Sequence, residues 1–181
     1  MDYNKKYKII YADPAWQYEQ KSLSGAAQRH YPTMSTSEIC KLPVLQIADE
    51  NAVLFLWVTF PQLKSAFDVI KAWGFKYKTV AFVWIKQNRK SKGYFFGLGF
   101  WTRGNAEICL LATRGKPKRV SASVHQLIVA PIREHSKKPD EAREKILELM
   151  GDLPRVELFA RQKVQGWDVW GNEVKSDIEL Y

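Results

Sequence analysis

The chain has 181 residues, 46% of them hydrophobic, which suffices for one substantial core, and no run approaches the roughly 20 apolar residues needed to cross a bilayer. Lys and Arg number 28 against 19 Asp and Glu, a formal net charge of +9 that suits a polyanion such as nucleic acid, because neutralising phosphates releases condensed counterions. There are two cysteines, Cys40 and Cys109, and neither has a Cys or His at ligand spacing, so a disulfide framework and a zinc knuckle are excluded and no metal site is expected. Met1 to Lys8 is polar, with no apolar signal-peptide core behind it, and the expectation is a cytoplasmic protein without membrane association.

In chain order, Tyr7 to Ala12 (YKIIYA) predicts a short buried strand, ended by Asp13-Pro14. Gln17 to Pro32 lacks periodicity and reads as a long loop. Ser35 to Lys41 predicts a short helix, capped by Ser35 or Thr36, with Glu38 in its first turn. Ala52 to Val58 (AVLFLWV) is a continuous apolar run, the mark of a central strand buried on both faces. Leu63, Phe67, Ile70 and Trp73 recur at helical spacing between Gln62 and Trp73, and Gly74 supplies the stop. Thr79 to Ile85 is a further strand, and Lys86 to Asn105 a second long loop. Glu107 to Thr113 reads as strand, Arg114 to Arg119 as a basic turn, and Gln126 to Ala130 as strand. Pro139-Asp140-Glu141 opens a helix that runs to about Met150 and ends at Gly151. Val156 to Phe159 and Trp167 to Trp170 complete the strands. Helices alternating with strands predict an α/β layer architecture, with residues 1–181 forming one domain.

Asp13-Pro14-Ala15-Trp16, directly after a buried strand, carries the most chemistry. The lone pair of an aromatic amine is delocalised into its ring and is a poor nucleophile. A carboxylate and a backbone carbonyl that each accept one amino hydrogen localise that pair and aim it; Asp13 and Pro14 supply this combination, and Trp16 an aromatic surface for an extruded base. An Asp-Pro turn ending a strand is common by itself, so the surrounding segments decide its meaning.

Those segments follow in order: Tyr31-Pro32-Thr33-Met34-Ser35, Phe55-Leu56-Trp57-Val58, Trp101 with Glu107-Ile108-Cys109-Leu110, Ser136-Lys137-Lys138-Pro139-Asp140-Glu141, Val156 to Arg161, and Trp167 with Trp170-Gly171-Asn172-Glu173. From about residue 7 to 175 the chain resembles the MT-A70 family of adenine methyltransferases. The resemblance implies a Rossmann-like class I methyltransferase fold, in permuted order, with the catalytic tetrad N-terminal to the main cofactor-binding segments. It implies methyl transfer from S-adenosylmethionine to the N6 amino group of adenine, with Asp13, Pro14, Ala15 and Trp16 at the target base. Cofactor binding is expected at Asp13, Lys138, Glu157, Phe159, Arg161, Asn172 and Glu173, with Lys138 pairing with the cofactor carboxylate and Glu173 accepting from the ribose hydroxyls. The cofactor pocket is expected at the carboxyl ends of the strands ending near Ala12 and Phe159.

Two positions depart from the family pattern. Ala15 stands where a second proline is usual, and Lys163-Val164 where the eukaryotic catalytic subunit has His and Asn contacts to the cofactor. They keep open the reading of a catalytically inactive nucleic-acid-binding subunit. DNA is the expected substrate, with RNA the alternative, because the chain carries no recognisable RNA-binding module. Candidate nucleic-acid contacts are Arg29, His30 and Tyr31 in the first loop, Lys86, Arg89, Lys90 and Lys92 beside Tyr94, Phe95 and Phe96 in the second, and Lys116 and Arg119 in the basic turn. A homodimer would widen this basic surface.

Overall fold

The computed structural model describes residues 5–17, 33–99, 101–134 and 137–180. Within them a seven-stranded sheet is formed by β1 (Tyr7–Ala12), β2 (Ala48–Val58), β3 (Lys76–Gln87), β4 (Glu107–Arg114), β5 (Leu127–Pro131), β6 (Arg155–Leu158) and β7 (Asp168–Trp170), in the spatial order β5-β3-β4-β2-β1-β6-β7. β1 is parallel to β2 and β6, β6 to β7, and β3 to β5, whereas β4 is antiparallel to both its neighbours, β2 and β3. Six strands therefore end at one edge of the sheet, and β4 begins there. This mixed sheet flanked by helices is the Rossmann-like α/β architecture implied by the sequence.

β2 and β1 show why the apolar runs are continuous. Ile10, Ala12, Leu54, Leu56 and Val58 enter one core, while Ile9, Tyr11, Val53, Phe55 and Trp57 enter the other. Helices cover both faces, so a strand with side-chain period 2 needs apolar residues at every position. On the first face lie α1 (Thr36–Lys41) and α3 (Leu63–Ala72), through Ile39, Ala66, Val69, Ile70 and the flanking Trp73; on the second lies α4 (Glu141–Met150), through Ala142, Ile146 and Met150. Trp57, Trp73 and Trp84 are core residues as expected, and each indole N–H finds an acceptor: Tyr11 Oη, the Ile39 carbonyl and the Ala130 carbonyl, respectively. Cys109 is buried, and that burial pushes its thiol well up.

Ser35 caps α1 in a capping box: its hydroxyl accepts from Glu38 N–H while the Glu38 carboxylate accepts from Ser35 N–H. In α3 the buried stripe is Ala66, Val69, Ile70 and Trp73; Phe67, expected in it, is exposed and meets Tyr77 edge-on, with ring centroids 5.1 Å apart. The short helix α2 (Val44–Ile47) and a 3₁₀ turn at Phe60–Gln62 carry no periodic signal of that length and escaped the sequence reading. None of the described helices is long and apolar enough to cross a membrane.

Candidate active site

The edge where six strands end and β4 begins holds a cavity of about 380 Å³, within the ordinary range of small-molecule sites. Asp13 to Trp16 leave β1 along its wall; Val58 and Thr59 come from the end of β2, Phe159 to Arg161 from β6, Trp170 to Glu173 from β7, and Glu107 from the start of β4. Lys138, just ahead of α4, completes the polar lining. Asp13, Pro14, Ala15, Trp16, Lys138, Phe159, Arg161, Asn172 and Glu173 are thus brought together around one space, at the strand ends where the sequence places it.

The tetrad is fixed by backbone rather than by a second proline. Trp16 N–H donates to the Pro14 carbonyl (2.9 Å), Met34 N–H to the Ala15 carbonyl (2.9 Å), and Gln17 N–H to the Met34 carbonyl (3.0 Å). The Trp16 indole is buried and its Nε1 donates to the Trp57 carbonyl at 3.1 Å. A side chain anchored at its polar tip presents a face that cannot swing away, which offsets the torsional freedom that Ala15 reintroduces.

Charge in the cavity is organised around Lys138. Its ammonium lies 2.8 Å from Asp13 Oδ1 and 3.2 Å from Glu107 Oε2, with only 9% of the side chain exposed. Glu107 in turn lies 2.5 Å from the ammonium of Lys86. Burial pushes the Asp13 carboxyl up from its ordinary value, more than Lys138 pulls it down. Glu107 is desolvated too, but its two lysines, Lys138 and Lys86, outweigh burial and hold its carboxyl below the ordinary value. Burial disfavours charge on Lys138, yet its two carboxylates keep its ammonium more basic than usual.

The floor is shaped by two backbone features that the sequence did not disclose. Phe159, at the end of β6, has φ of 62°, a conformation rare for a bulky non-glycine residue, and stands edge-on to Trp170 with centroids 5.3 Å apart. Gly171 passes so close to β6 that a Cβ there would fall 2.2 Å from the Ala160 carbonyl oxygen. Arg161 Nε donates to the Glu173 carboxylate at 3.0 Å, tying the two exit segments together.

Glu157 is placed differently from its neighbours. It lines a smaller adjoining recess of about 90 Å³, which shares Asp13, Lys138, Phe159, Arg161 and Glu173 with the main cavity. Its carboxylate accepts a bidentate pair of hydrogen bonds from buried Arg143, at 2.7 and 2.8 Å. The pair ties α4 to β6 beside the site.

The basic candidates divide. Lys86 is half-buried, paired with Glu107 and set 5.1 Å over the Trp84 ring. Arg89, Lys90 and Lys92 are exposed on the loop that leaves β3 at the cavity edge. Lys116 and Arg119 are exposed beyond the opposite end of β4, roughly 23 Å from Glu107 at about 3.3 Å per strand residue. Arg29, His30, Tyr31, His135 and Ser136 lie outside the described residues. Lys163 pairs with Asp177 at 2.5 Å, and Val164 packs against the core beneath α4.

Glu107 and Asn105 were missed as site candidates. The available signal for Glu107 was an acid opening an otherwise apolar strand immediately after a glycine-rich loop.

A Rossmann-like sheet with a cavity at its carboxyl edge, lined by an Asp-Pro-Ala-Trp tetrad and a buried Lys-carboxylate network, defines a group-transferring enzyme of the methyltransferase class. The chain belongs to the MT-A70 family, whose profile matches residues 7–173. It is 34% identical to the Type II methyltransferase M.MunI of Mycoplasma sp over 197 aligned residues, covering 97% of this chain and 82% of that protein. It is 30% identical to the human N(6)-adenosine-methyltransferase catalytic subunit METTL3 over 93% of this chain but 28% of that protein. The Drosophila melanogaster N(6)-adenosine-methyltransferase MT-A70-like protein matches at 30% identity over 93% of this chain and 27% of its own length. The chain therefore spans most of the bacterial relative and about a quarter of the animal ones.

Proposed function

We propose that this protein transfers a methyl group from S-adenosylmethionine to the N6 amino group of adenine in DNA. The observation that carries the reading is that Asp13 and Pro14 line a cavity whose other walls bear Asn172 and Glu173. The 97% and 82% coverage shared with a Type II methyltransferase of nearly the same extent supports DNA over RNA.

The residues fit the cofactor chemically. The Glu173 carboxylate accepts from vicinal ribose hydroxyls, Asn172 offers an amide donor and acceptor beside it, Phe159 and Trp170 form an apolar wall, and Lys138 faces the space with positive charge. S-adenosylmethionine supplies an electrophilic methyl on a good leaving group. The protein's own task is then orientation. Asp13 and the Pro14 carbonyl each accept one N6 hydrogen, turning the nitrogen lone pair out of the ring and toward the methyl. The Trp16 ring bounds the base-binding side, its indole N–H being occupied by the Trp57 carbonyl. As the N6–methyl bond formed and the donor's methyl–sulfur bond broke, leaving its electron pair on a neutral thioether sulfur, the nitrogen would gain positive charge and shed one proton, for which the Asp13 carboxylate is the built-in acceptor.

The test is methyl transfer from labelled S-adenosylmethionine to matched DNA and RNA pools, followed by digestion and identification of the base. N6-methyladenine in DNA is the expected product. The same base in RNA alone would keep the chemistry and reverse the substrate; donor binding without turnover on either would favour a subunit that needs an active partner.

A further inference from the structure

Lys86, Glu107, Lys138 and Asp13 form a continuous chain of alternating charge, with N–O separations of 2.5, 3.2 and 2.8 Å. Its outer end is attached to the loop between β3 and β4. Asn105 brackets the Lys86 peptide: the Asn105 side-chain oxygen accepts from Lys86 N–H at 3.0 Å, and its nitrogen donates to the Lys86 carbonyl at 2.8 Å and to the Phe95 carbonyl. Phe95 N–H donates to that same Lys86 carbonyl at 2.9 Å, and Asn88 N–H to the Gly93 carbonyl at 3.1 Å. The loop that carries exposed Arg89, Lys90, Lys92, Tyr94, Phe96 and Trp101 is thus buttoned to the residue that begins the chain of charges.

We propose that Lys86 is a positioning residue, which holds Glu107 so that Lys138 stays on Asp13, and through which the seating of the 88–106 loop is felt at the catalytic carboxylate. Two negative and two positive groups balance in this chain. Without Lys86, Glu107 has a single cation left to satisfy it and draws Lys138 away from Asp13, two carboxylates then sharing one ammonium in a poorly solvated space. The other groups that face Asp13 do not compensate: Glu157 on β6 adds negative charge, while Tyr11 and Cys109 are buried and neutral. The aromatic contact of Lys86 with Trp84 keeps its ammonium from turning outward to solvent. Trp101, whose indole is fully exposed, gives the loop an apolar surface for bases flanking an extruded adenine, so that substrate contact bears on the element that Asn105 clamps.

The inference rests on the methyl-transfer reading for its kinetic arm and is independent of it for its titration arm. In Lys86→Met the Asp13 carboxyl, followed by carbon-13 NMR in the protein alone, titrates at higher pH than in wild type, and Lys86→Arg returns it toward the wild-type position. In DNA methylation Lys86→Met lowers kcat by roughly 10- to 100-fold, with a KM for DNA within about twofold of wild type, and moves the acid limb of the kcat profile upward. An unmoved Asp13 titration in a Lys86→Met protein with the wild-type circular dichroism spectrum overturns the proposal. So does a raised KM for DNA with kcat unchanged and a salt dependence weakened by one phosphate contact, which would make Lys86 a backbone grip instead. If Lys86→Met does not fold, Asn105→Ala is read in its place: Asp13 shifts in the same direction if the loop is coupled to the site, and a fixed Asp13 overturns the coupling. A wild-type protein inactive on DNA removes the substrate assignment but leaves the titration result standing.

Discussion

The ammonium of Lys138 and the carboxylate of Asp13, 125 residues apart in the chain, meet at 2.8 to 2.9 Å on the wall of the cavity. The contact makes Asp13 a charged acceptor in a place where burial alone would favour its protonated form, and the opposition of those two effects sets the pH range of activity. Asp13 accepts from the adenine amino group only while ionised, and its carboxyl ends above its ordinary value. The acid limb of kcat therefore lies at higher pH than an ordinary aspartate would give, activity falling as pH drops through that raised value. Asp13→Ala removes the acceptor outright, with an expected loss of about 10²–10³-fold in kcat; a variant that methylates at the wild-type rate would remove Asp13 from the chemistry.

Glu107 carries the opposite sign in stability. Its folded-state carboxyl is lowered by Lys138 and Lys86 against burial, so its contribution to folding is present above the unfolded carboxylate range and lost as pH falls through the lowered value. Urea melts at neutral and acid pH, compared between wild type and Glu107→Gln, check this: the acid-induced loss of stability is smaller in the variant.

Glu173 is expected to hold the ribose of the cofactor while Arg161 holds Glu173. Glu173→Ala weakens binding of S-adenosylmethionine by roughly tenfold, consistent with the loss of charged hydrogen bonds worth ~1.5 kcal/mol. Calorimetric titration measures it, and an affinity equal to wild type would take Glu173 out of the cofactor site.

Glu157 also ties the frame together through Arg143. Its bidentate bond with Arg143 is buried on both sides, and Glu157→Ala leaves the guanidinium with Asp140 but without its buried partner. The expected cost is about 3–5 kcal/mol of unfolding free energy. Replacing both residues by apolar ones of similar volume recovers most of it, a double-variant measurement that separates a broken pair from a lost functional group.

The basic loop and the basic turn should behave differently. Arg89, Lys90 and Lys92 leave the sheet at the catalytic edge, Lys116 and Arg119 at the far one. Neutralising the first three flattens the logarithmic salt dependence of DNA affinity by up to ~0.9 for each phosphate no longer neutralised, and raises KM with it. Neutralising Lys116 and Arg119 leaves KM near wild type if the duplex is gripped only beside the cavity.

The elements most legible in the sequence were those with a physical period. β2 was readable because both faces are covered, and α1 because the Ser35–Glu38 box is a local, three-residue signal. The tetrad could be singled out because the chemistry expected of it is local as well. What escaped was non-local: that Glu107 would join Lys138 at Asp13 depends on β4 running against its neighbours, a choice that no residue within β4 encodes. Lys86 resembled its neighbours Arg89 and Lys90 in the linear pattern, but strand pairing turned it inward, while the clamp around it drew on Asn105 and Phe95. Phe67 and the buried Ala66 illustrate the ±1 ambiguity of a helical face read from large residues alone.

The reversed strand also fixes where this enzyme tolerates added length. Glu107 opens β4 at the cavity, and Asn105, two residues before it, is stitched back to Lys86 and Phe95. Extra residues between Asn105 and Glu107 would shift a catalytic-site charge, and extra residues before Phe95 would unfasten the stitch. The stretch from Phe96 to Gly104, joined across its own base by the 2.7 Å bond from Gly97 N–H to the Gly104 carbonyl, is free of both constraints. Added length there would keep Asn105 and Glu107 in place while changing the exposed surface that Phe96 and Trp101 present to a substrate.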